Sequence, residues 1–528
     1  MRILLFTAAL LSIVSLEQLF AQATLLLDIN SGINNSNPTS MTDVNGVLFF
    51  SANDGVNGVE LWKSSGISSG TALLKDIAIG SANSGPANLK NVSGTLYFTA
   101  DDGINGIELW KSDGTINGTV LVKDINVGVS GSTPSYLTAI NGTLYFTAND
   151  GVSGTELWKS DGTDLGTVMV KDIHPTAGSN PAEVIVIGTS LYFKATDGTN
   201  GFELWKSDGT AIGTVMVKDI LAGSGSSSPF YLTQVGSLLF FSCFDGSDVE
   251  LWKSDGTNGG TVLVKNINPT GLGLPAELIN VSGVLFFKAT DGTNGIELWK
   301  SDGTAGGTTL IKDINPGASG SSLVFLKAVN GILYFRADNG INGAELWTSN
   351  GFTSGTNMIK DINTGAASSN PTSFTQANGV VYFVAETVAN GVELWQTSGT
   401  LSSTQLVMDI NTTGSSSPNY LVTSNSRLFF SANDGTNGLE LWKIDGTALA
   451  IASGQATYRL SISPNPTNGV IKIEGLKAGE VLSVFDNMGL LVQEHQAEEI
   501  ITVDLTNEAS GIYMLRSSEG GLSKVVKQ

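Results

Sequence analysis

Along most of the chain, apolar and polar positions alternate in short runs broken by Gly, Asn, Asp and Ser, and no apolar stripe of helical period is sustained. In one stretch, Pro134 to Ile140 is a first run and Asn141-Gly142 a tight turn. Thr143-Leu144-Tyr145-Phe146-Thr147-Ala148 follows, rich in aromatic and small residues that suit a pleated, half-buried surface. After Asn149-Asp150-Gly151 and its loop come Glu156-Leu157-Trp158-Lys159, the turn Ser160-Asp161-Gly162-Thr163, and a last run from Val168 to Ile173. The pattern predicts four short strands per unit.

The unit recurs nine times, with Glu-Leu-Trp at Trp62, Trp110, Trp158, Trp205, Trp252, Trp299, Trp347, Trp395 and Trp442, which are all the tryptophans of the chain. Neighbours are 47 or 48 residues apart, close to the roughly 40–50 residues of one four-stranded propeller blade. The run Leu25-Leu26-Leu27-Asp28-Ile29-Asn30 matches the last strand of later units, such as Leu121 to Asn126, yet has no strands before it. The ninth unit continues as Ala448-Leu449-Ala450-Ile451 and lacks the Lys-Asp-Ile ending. We therefore expect an all-β fold: a β-propeller of about nine four-stranded repeats, its ring closed by the N-terminal strand, followed by a small antiparallel β-sandwich. An eight-bladed ring with one irregular unit is the alternative, since propellers typically have about four to eight blades.

Composition narrows the partners. A net charge of -21 argues against nucleic acid and anionic membrane surfaces, which need clustered cations. Cys243 is the single cysteine, so no intrachain disulfide forms, and its apolar run suits a small buried hydrophobe. Residues 1–23 hold Arg2, an apolar run from Ile3 to Leu16 and Ala21-Gln22-Ala23, the pattern of a signal peptide cleaved near Ala23. No later stretch is long and apolar enough for a transmembrane segment.

The units resemble the ELWxxDGT repeat family of bacterial surface and secreted proteins over about residues 25–447, in their fullest form as Glu108-Leu109-Trp110-Lys111-Ser112-Asp113-Gly114-Thr115. Three units depart, with Ser65-Gly66, Asn350-Gly351 and Ser398-Gly399, and keep the glycine. Residues 457–528 have no Trp and another strand rhythm. Ser463-Pro464-Asn465-Pro466-Thr467-Asn468-Gly469, Val484 to Val492, Ser510 to Arg516 and the final Lys524-Val525-Val526-Lys527-Gln528 resemble the C-terminal sorting domain of the type IX secretion system of Bacteroidetes. That resemblance implies export across the outer membrane, with the type IX machinery as partner of residues 457–528 and a secreted or outer-membrane cell-surface location. The expected domains are the signal peptide (1–23), the propeller (24–447), a linker (448–456) and the sorting domain (457–528).

Candidate chemistry is sparse. The Glu before each Leu-Trp (Glu60, Glu108, Glu156, Glu203, Glu250, Glu297, Glu345, Glu393, Glu440) recurs in every unit, which favours a structural role. Buried beside an indole, it needs donors, for which the Lys of Lys-Asp-Ile or backbone amides are available. The loop carboxylates Asp54, Asp102, Asp150, Asp197, Asp245, Asp291 and Asp434, each before a Gly, are turn formers first and calcium ligands second; the eighth unit, with Glu386-Thr387-Val388, would lack the site. His174 and His495 are the only histidines, too few for zinc or a Ser-His-Asp triad, and His174 stands where sister units have Asn. The face formed by these loops and the inter-blade connections reads as broad, polar and acidic, with little aromatic stacking surface. We expect a binding or scaffold module for a glycan, a protein or a cation. The rival is an extracellular polysaccharide hydrolase or lyase using acidic residues, whose mark would be one unit with unusual polar residues. The departures visible in the fifth unit (Phe244 to Asp248) and the eighth add no acid, base or nucleophile set.

Overall fold

The computed structural model describes residues 22–445 and, in the C-terminal part, 461–474, 476, 481–485, 491–496, 500–506, 508, 510–517 and 522–528. Most of the expected signal peptide and the whole of the expected linker lie outside the described residues. The chain divides into two compact units, residues 1–446 and 447–528.

The first unit holds nine antiparallel sheets of four strands, one per repeat. Blade three is representative: Ser135–Ile140, Thr143–Asn149, Thr155–Ser160 and Val168–Lys171 pair in sequence order. Blade nine takes three strands from Asn419–Ser424, Arg427–Asn433 and Leu439–Ile444, and its fourth is Ala23–Leu27, with Ala23 opposite Ile444 and Leu25 opposite Trp442. The N-terminal strand thus supplies the edge that the ninth repeat lacks. The first strands of successive blades lie beside one another in a closed circuit completed by Thr39–Val44 against Asn419–Ser424, so they surround the axis and the fourth strands lie outside.

Each second strand is buried on both faces because a blade is covered on both sides by its neighbours, as Leu144, Tyr145, Phe146, Thr147 and Ala148 illustrate. One face looks back: Leu144, Phe146, Ala148 and Trp158 of blade three pack on Tyr97, Leu109 and Val122 of blade two. The core is therefore a series of interfaces, and the closing one sets Leu26, Phe429 and Leu441 against Leu48, Phe50 and Trp62. Burying each such aromatic or aliphatic side chain contributes about 1.5–3 kcal/mol.

Lysines stitch the outer strands across these interfaces. Lys63 Nζ donates to the Gly114 carbonyl of the next blade at 2.7 Å, and Lys75 Nζ to the Thr119 carbonyl at 2.6 Å. Gly114 sits at φ +88, a left-handed conformation that explains why this glycine survives when the preceding Asp does not. Gly66, Gly351 and Gly399, in the three departing units, have φ +85, +89 and +94.

The second unit is a sandwich of two antiparallel sheets, one of Ser461–Ser463, Val470–Glu474 and Ile500–Asp504, the other of Leu491–Gln496, Val481–Phe485, Gly511–Ser517 and Leu522–Lys527. Ile471, Ile473, Val484, Val503, Leu515 and Val525 fill its core. The Ser-Pro-Asn-Pro motif is tied to the last strand: Thr467 N donates to Val526 O at 2.8 Å and Gln528 N to Thr467 O at 2.9 Å.

Candidate functional site

The Glu of Glu-Leu-Trp is buried in every blade, 0–1% exposed. Its donors come from the connection that crosses to the next blade. Glu60 accepts Ile77 N at 2.8 Å, Ser84 N at 2.9 Å and Ser84 Oγ at 2.6 Å. A serine occupies the Ser84 position in eight blades, and the Lys of Lys-Asp-Ile is not a donor; the partners are backbone amides and this hydroxyl. Burial pushes each of these carboxyls up, against the hydrogen bonds, which pull it down. The clamp fixes the crossing loop over the end of the second strand, where Asp101 N donates to Ser84 O at 2.9 Å.

Blade five breaks the clamp. Gly273 stands at the serine position, a Cβ there would lie 2.5 Å from both Glu250 oxygens, and Glu250 Oε2 is buried without a partner. Burial takes the Glu250 carboxyl from 4.5 up to about 7. The loop before it is shorter, and Asp248 caps Val249 N at 2.8 Å, work done in blade one by Asn83.

The seven loop carboxylates are each engaged by their own loop. Asp54 Oδ1 accepts Val56 N at 2.9 Å and Asn57 N at 2.8 Å, while Oδ2 accepts Asn57 Nδ2 at 2.7 Å. Asp102, Asp197, Asp291 and Asp434 repeat this set. Asp150 uses Ser153 and Asp245 uses Ser247 for the side-chain contact. For Asp54, partial burial pushes the carboxyl up, but the amide donors outweigh it and hold it below 3.8. One loop Asp lies on each of seven blades, so the ring does not bring them together. Among the described residues no group of three or more His, Cys, Asp and Glu is placed to hold a metal. The Asp of Lys-Asp-Ile stands near the same loop, since Asn342 Nδ2 reaches Asp361 Oδ2 at 2.8 Å where blade seven has Asn339 in place of the loop Asp. Its Oδ1 is buried without a partner at Asp28, Asp76, Asp124, Asp219, Asp313, Asp361 and Asp409.

Every first strand contains a bulge. In blade three Ser135 pairs with Thr147 and Thr138 with Tyr145, so one residue too many is fitted between them. The residue after the first paired position has positive φ in all nine blades: Ser40, Asn88, Tyr136, Glu183, Tyr231, Glu277, Phe325, Ser373 and Tyr420, at φ 51 to 61. For an aromatic side chain this conformation costs on the order of 1–2 kcal/mol. Tyr136, Tyr231, Phe325 and Tyr420, on alternate blades, are nevertheless 44–46% exposed. Asn88, Lys90, Ser135 and Tyr136 border a depression of about 450 Å³ between blades two and three. The bulges lie at the end of the first strands nearest the Asp-Gly loops, so that face does carry aromatic surface, contrary to the sequence expectation. The signal was the one column of the repeat where Tyr, Phe, Glu, Asn and Ser replace one another.

Polar substitutions also fall elsewhere than the sequence suggested. Where sister blades have Ser51, Thr99 or Thr147 beside the bulge, blades four, six and seven have Lys194, Lys288 and Arg336. His174 stands in the Asn position against its Asp-Gly loop, with Nε2 beside Gly198 as Asn126 stands beside Gly151. Cys243 is buried opposite Glu250, and burial pushes its thiol up.

Residues 461–528 match the family of secretion system C-terminal sorting domains. Among curated proteins no sequence matches. Solved structures similar to the chain include a puromycin hydrolase (14% identity, 66% of this chain and 58% of that one, TM-score 0.35). Others are a prolyl endopeptidase (13%, 77% and 55%, TM-score 0.38) and the β-propeller domain of the Trilobed protease from Pyrococcus furiosus (10%, 63% and 97%, TM-score 0.32). The chain spans little more than half the length of the first two. The sorting-domain match implies a secreted or cell-surface protein, and among the described residues no helix is long and apolar enough to cross a membrane.

Proposed function

We propose that the chain is a secreted or cell-surface binding module, exported by the type IX machinery through its C-terminal domain, whose propeller presents a glycan-binding ring. The observation that carries this reading is the set of four half-exposed aromatic side chains held on strained bulges around the axis. Such strain persists where surrounding structure imposes it, and it gathers at functional sites. Flat aromatic faces interleaved with Asn, Ser and Glu suit sugar rings, which offer an apolar face and a rim of hydroxyls. The resemblance of the repeats to ELWxxDGT proteins of bacterial surfaces supports the same address.

The test is depletion of the purified full-length protein from solution by insoluble polysaccharides, with released sugar followed in the supernatant. Depletion without released sugar is expected. Released sugar would make the propeller a hydrolase or lyase and direct attention to Glu183 and Glu277.

Calcium is a second ligand, favoured by the unpartnered Asp76 Oδ1 and its counterparts beside the Asp-Gly loops. Six blades offer both a loop Asp and the Asp of the last strand, and calcium takes about six to eight oxygens, so carbonyls and waters would complete the shell. Calorimetric titration of the chelated protein with CaCl2 should give saturable heat, reduced by Asp54→Asn together with Asp102→Asn; a flat titration removes this ligand.

A further inference from the structure

The cations of the propeller sort into those of two repeated columns and those that individual blades add. Lysines of Glu-Leu-Trp-Lys and of Lys-Asp-Ile donate to carbonyls of the next blade, as Lys111 does to Gly162 O and Lys218 to Thr261 O, both at 2.8 Å. Among residues 24–445, the cations outside these two columns are Lys90, Lys194, Lys288, Lys327, Arg336 and Arg427. Arg427 pairs with Asp445 at 2.7 Å. The other five all lie on the two innermost strands of their blades, and Lys194, Lys288 and Arg336 stand directly beside bulges.

Their surroundings are unusual for a chain of net charge -21. Lys194 Nζ lies 3.4 Å from the Phe230 ring centroid, and Arg336 lies 4.9 Å from that of Phe325, so both cations rest on aromatic faces. Arg336 Nε is buried without a partner. Burial pulls the Lys194 ammonium down and nearby Glu183 pulls it back up. The two acids of this arc are each shared with a backbone amide: Glu183 Oε2 accepts Tyr231 N at 3.0 Å, and Glu277 Oε2 accepts Leu326 N at 3.4 Å, each bracing the bulge of the following blade. Glu277 also pairs with Lys288 at 2.9 Å, and Lys288 Nζ donates to the Leu323 carbonyl at 3.3 Å, so Lys288 is the most engaged of the three cations. Three half-buried cations thus face two acids, which leaves a local positive excess flanked by Tyr231 and Phe325.

We propose that this arc, over blades four to seven, binds a carboxylate-bearing polysaccharide, with uronate carboxylates on Lys194, Lys288 and Arg336 and sugar rings against Tyr231 and Phe325. The assignment rests on the glycan-binding reading and specifies where that binding occurs and which class of glycan it selects. A partly dehydrated cation gains most from an anion that replaces its lost water. The negative surface elsewhere concentrates the attraction at this arc and opposes densely charged phosphate polymers.

The experiment compares full-length protein binding polygalacturonate, the same polymer after carboxyl reduction, a neutral β-glucan and single-stranded DNA, by calorimetry at two salt concentrations. Polygalacturonate should bind at least tenfold more tightly than its reduced form, weaken with salt and exceed DNA. The variant Lys194→Thr/Lys288→Thr/Arg336→Thr, which restores the hydroxyls of sister blades, should lose that preference, its affinity for polygalacturonate falling to that for the reduced polymer. Equal binding of native and reduced polymer overturns the proposal while glycan binding stands, and this comparison needs no variant to fold. DNA binding equal to polygalacturonate overturns it as a general polyanion site. Absence of binding to every glycan overturns both readings.

Discussion

Two parts of each blade obey different rules: an outer half made of the second, third and fourth strands with the crossing loop, and an inner half made of the first strand, whose bulge borders the end of the second. In the outer half the same residues recur and meet the same partners: Glu on the crossing loop, Lys on a carbonyl of the next blade, Trp and Phe in the interface. In the inner half the backbone repeats, bulge and all, while the side chains change from blade to blade. The contrast separates what a ring must have to close from what it presents once closed. The strongest way to break it is to injure the outer half. Phe193, fully buried between blades three and four, should cost about 3–5 kcal/mol when changed to Ala, measured by urea unfolding. Because blades contact mainly their neighbours, the damage should centre on that interface, and hydrogen exchange would show protection lost first in those two blades.

Blade five sharpens the comparison, because there the outer half itself departs. Glu250 has lost its serine, and its carboxyl stands at about 7 against 4.5 for an unburied one. An acid raised on folding binds its proton more tightly in the native state, so this contribution is present below pH 4.5 and lost as pH rises toward about 7, to a limit of about 3 kcal/mol. Glu297, also pushed up to about 7 by burial, adds a slope of the same sign. Gly273→Ser restores the hydroxyl that Ser84 gives Glu60. With a small shift of the Glu250 carboxylate to admit the side chain, it should flatten the pH dependence between 4.5 and 7 and raise stability at pH 7 by about 1 kcal/mol. A slope unchanged in the variant would mean that Glu250 is not its source.

Much of the outer half was legible in the sequence because local chemistry decides it. A left-handed turn demands Gly114, and a strand buried on both faces reads as Leu-Tyr-Phe-Thr-Ala. Ring closure was legible too, since Leu25 to Asn30 matches a fourth strand that has no blade of its own, and only the ninth blade wanted one. The partner of the buried Glu was only half legible: amides were foreseen, the serine twenty-four residues on from Glu60 was not, because the loop's path sets that contact. The bulges were not legible. Positive φ at Tyr231 or Phe325 contradicts the preference of either residue, so tertiary context imposes it, and the sequence marks the position only by the variability of its column. With the bulge unseen, neither its aromatic side chains nor Lys194, Lys288 and Arg336 stood out as a site.

The smallest effect on stability should accompany a large effect on binding, and Tyr231→Gly is the place to look. Tyr231 has φ 56 and is 44% exposed. Glycine relieves a left-handed cost of about 1–2 kcal/mol, loses up to about 1 kcal/mol through its freer unfolded chain, and gives up the half of the ring that is covered. These terms nearly cancel, so unfolding free energy should move by less than about 1 kcal/mol in either direction. The amide that Glu183 holds is backbone and stays in place, so the bulge persists. Affinity for the glycan should nevertheless fall several-fold, because the ring face is gone. If stability fell as it does for Phe193→Ala and affinity did not change, Tyr231 would belong with the outer half, as packing, and the division between closing the ring and presenting it would fail at this position.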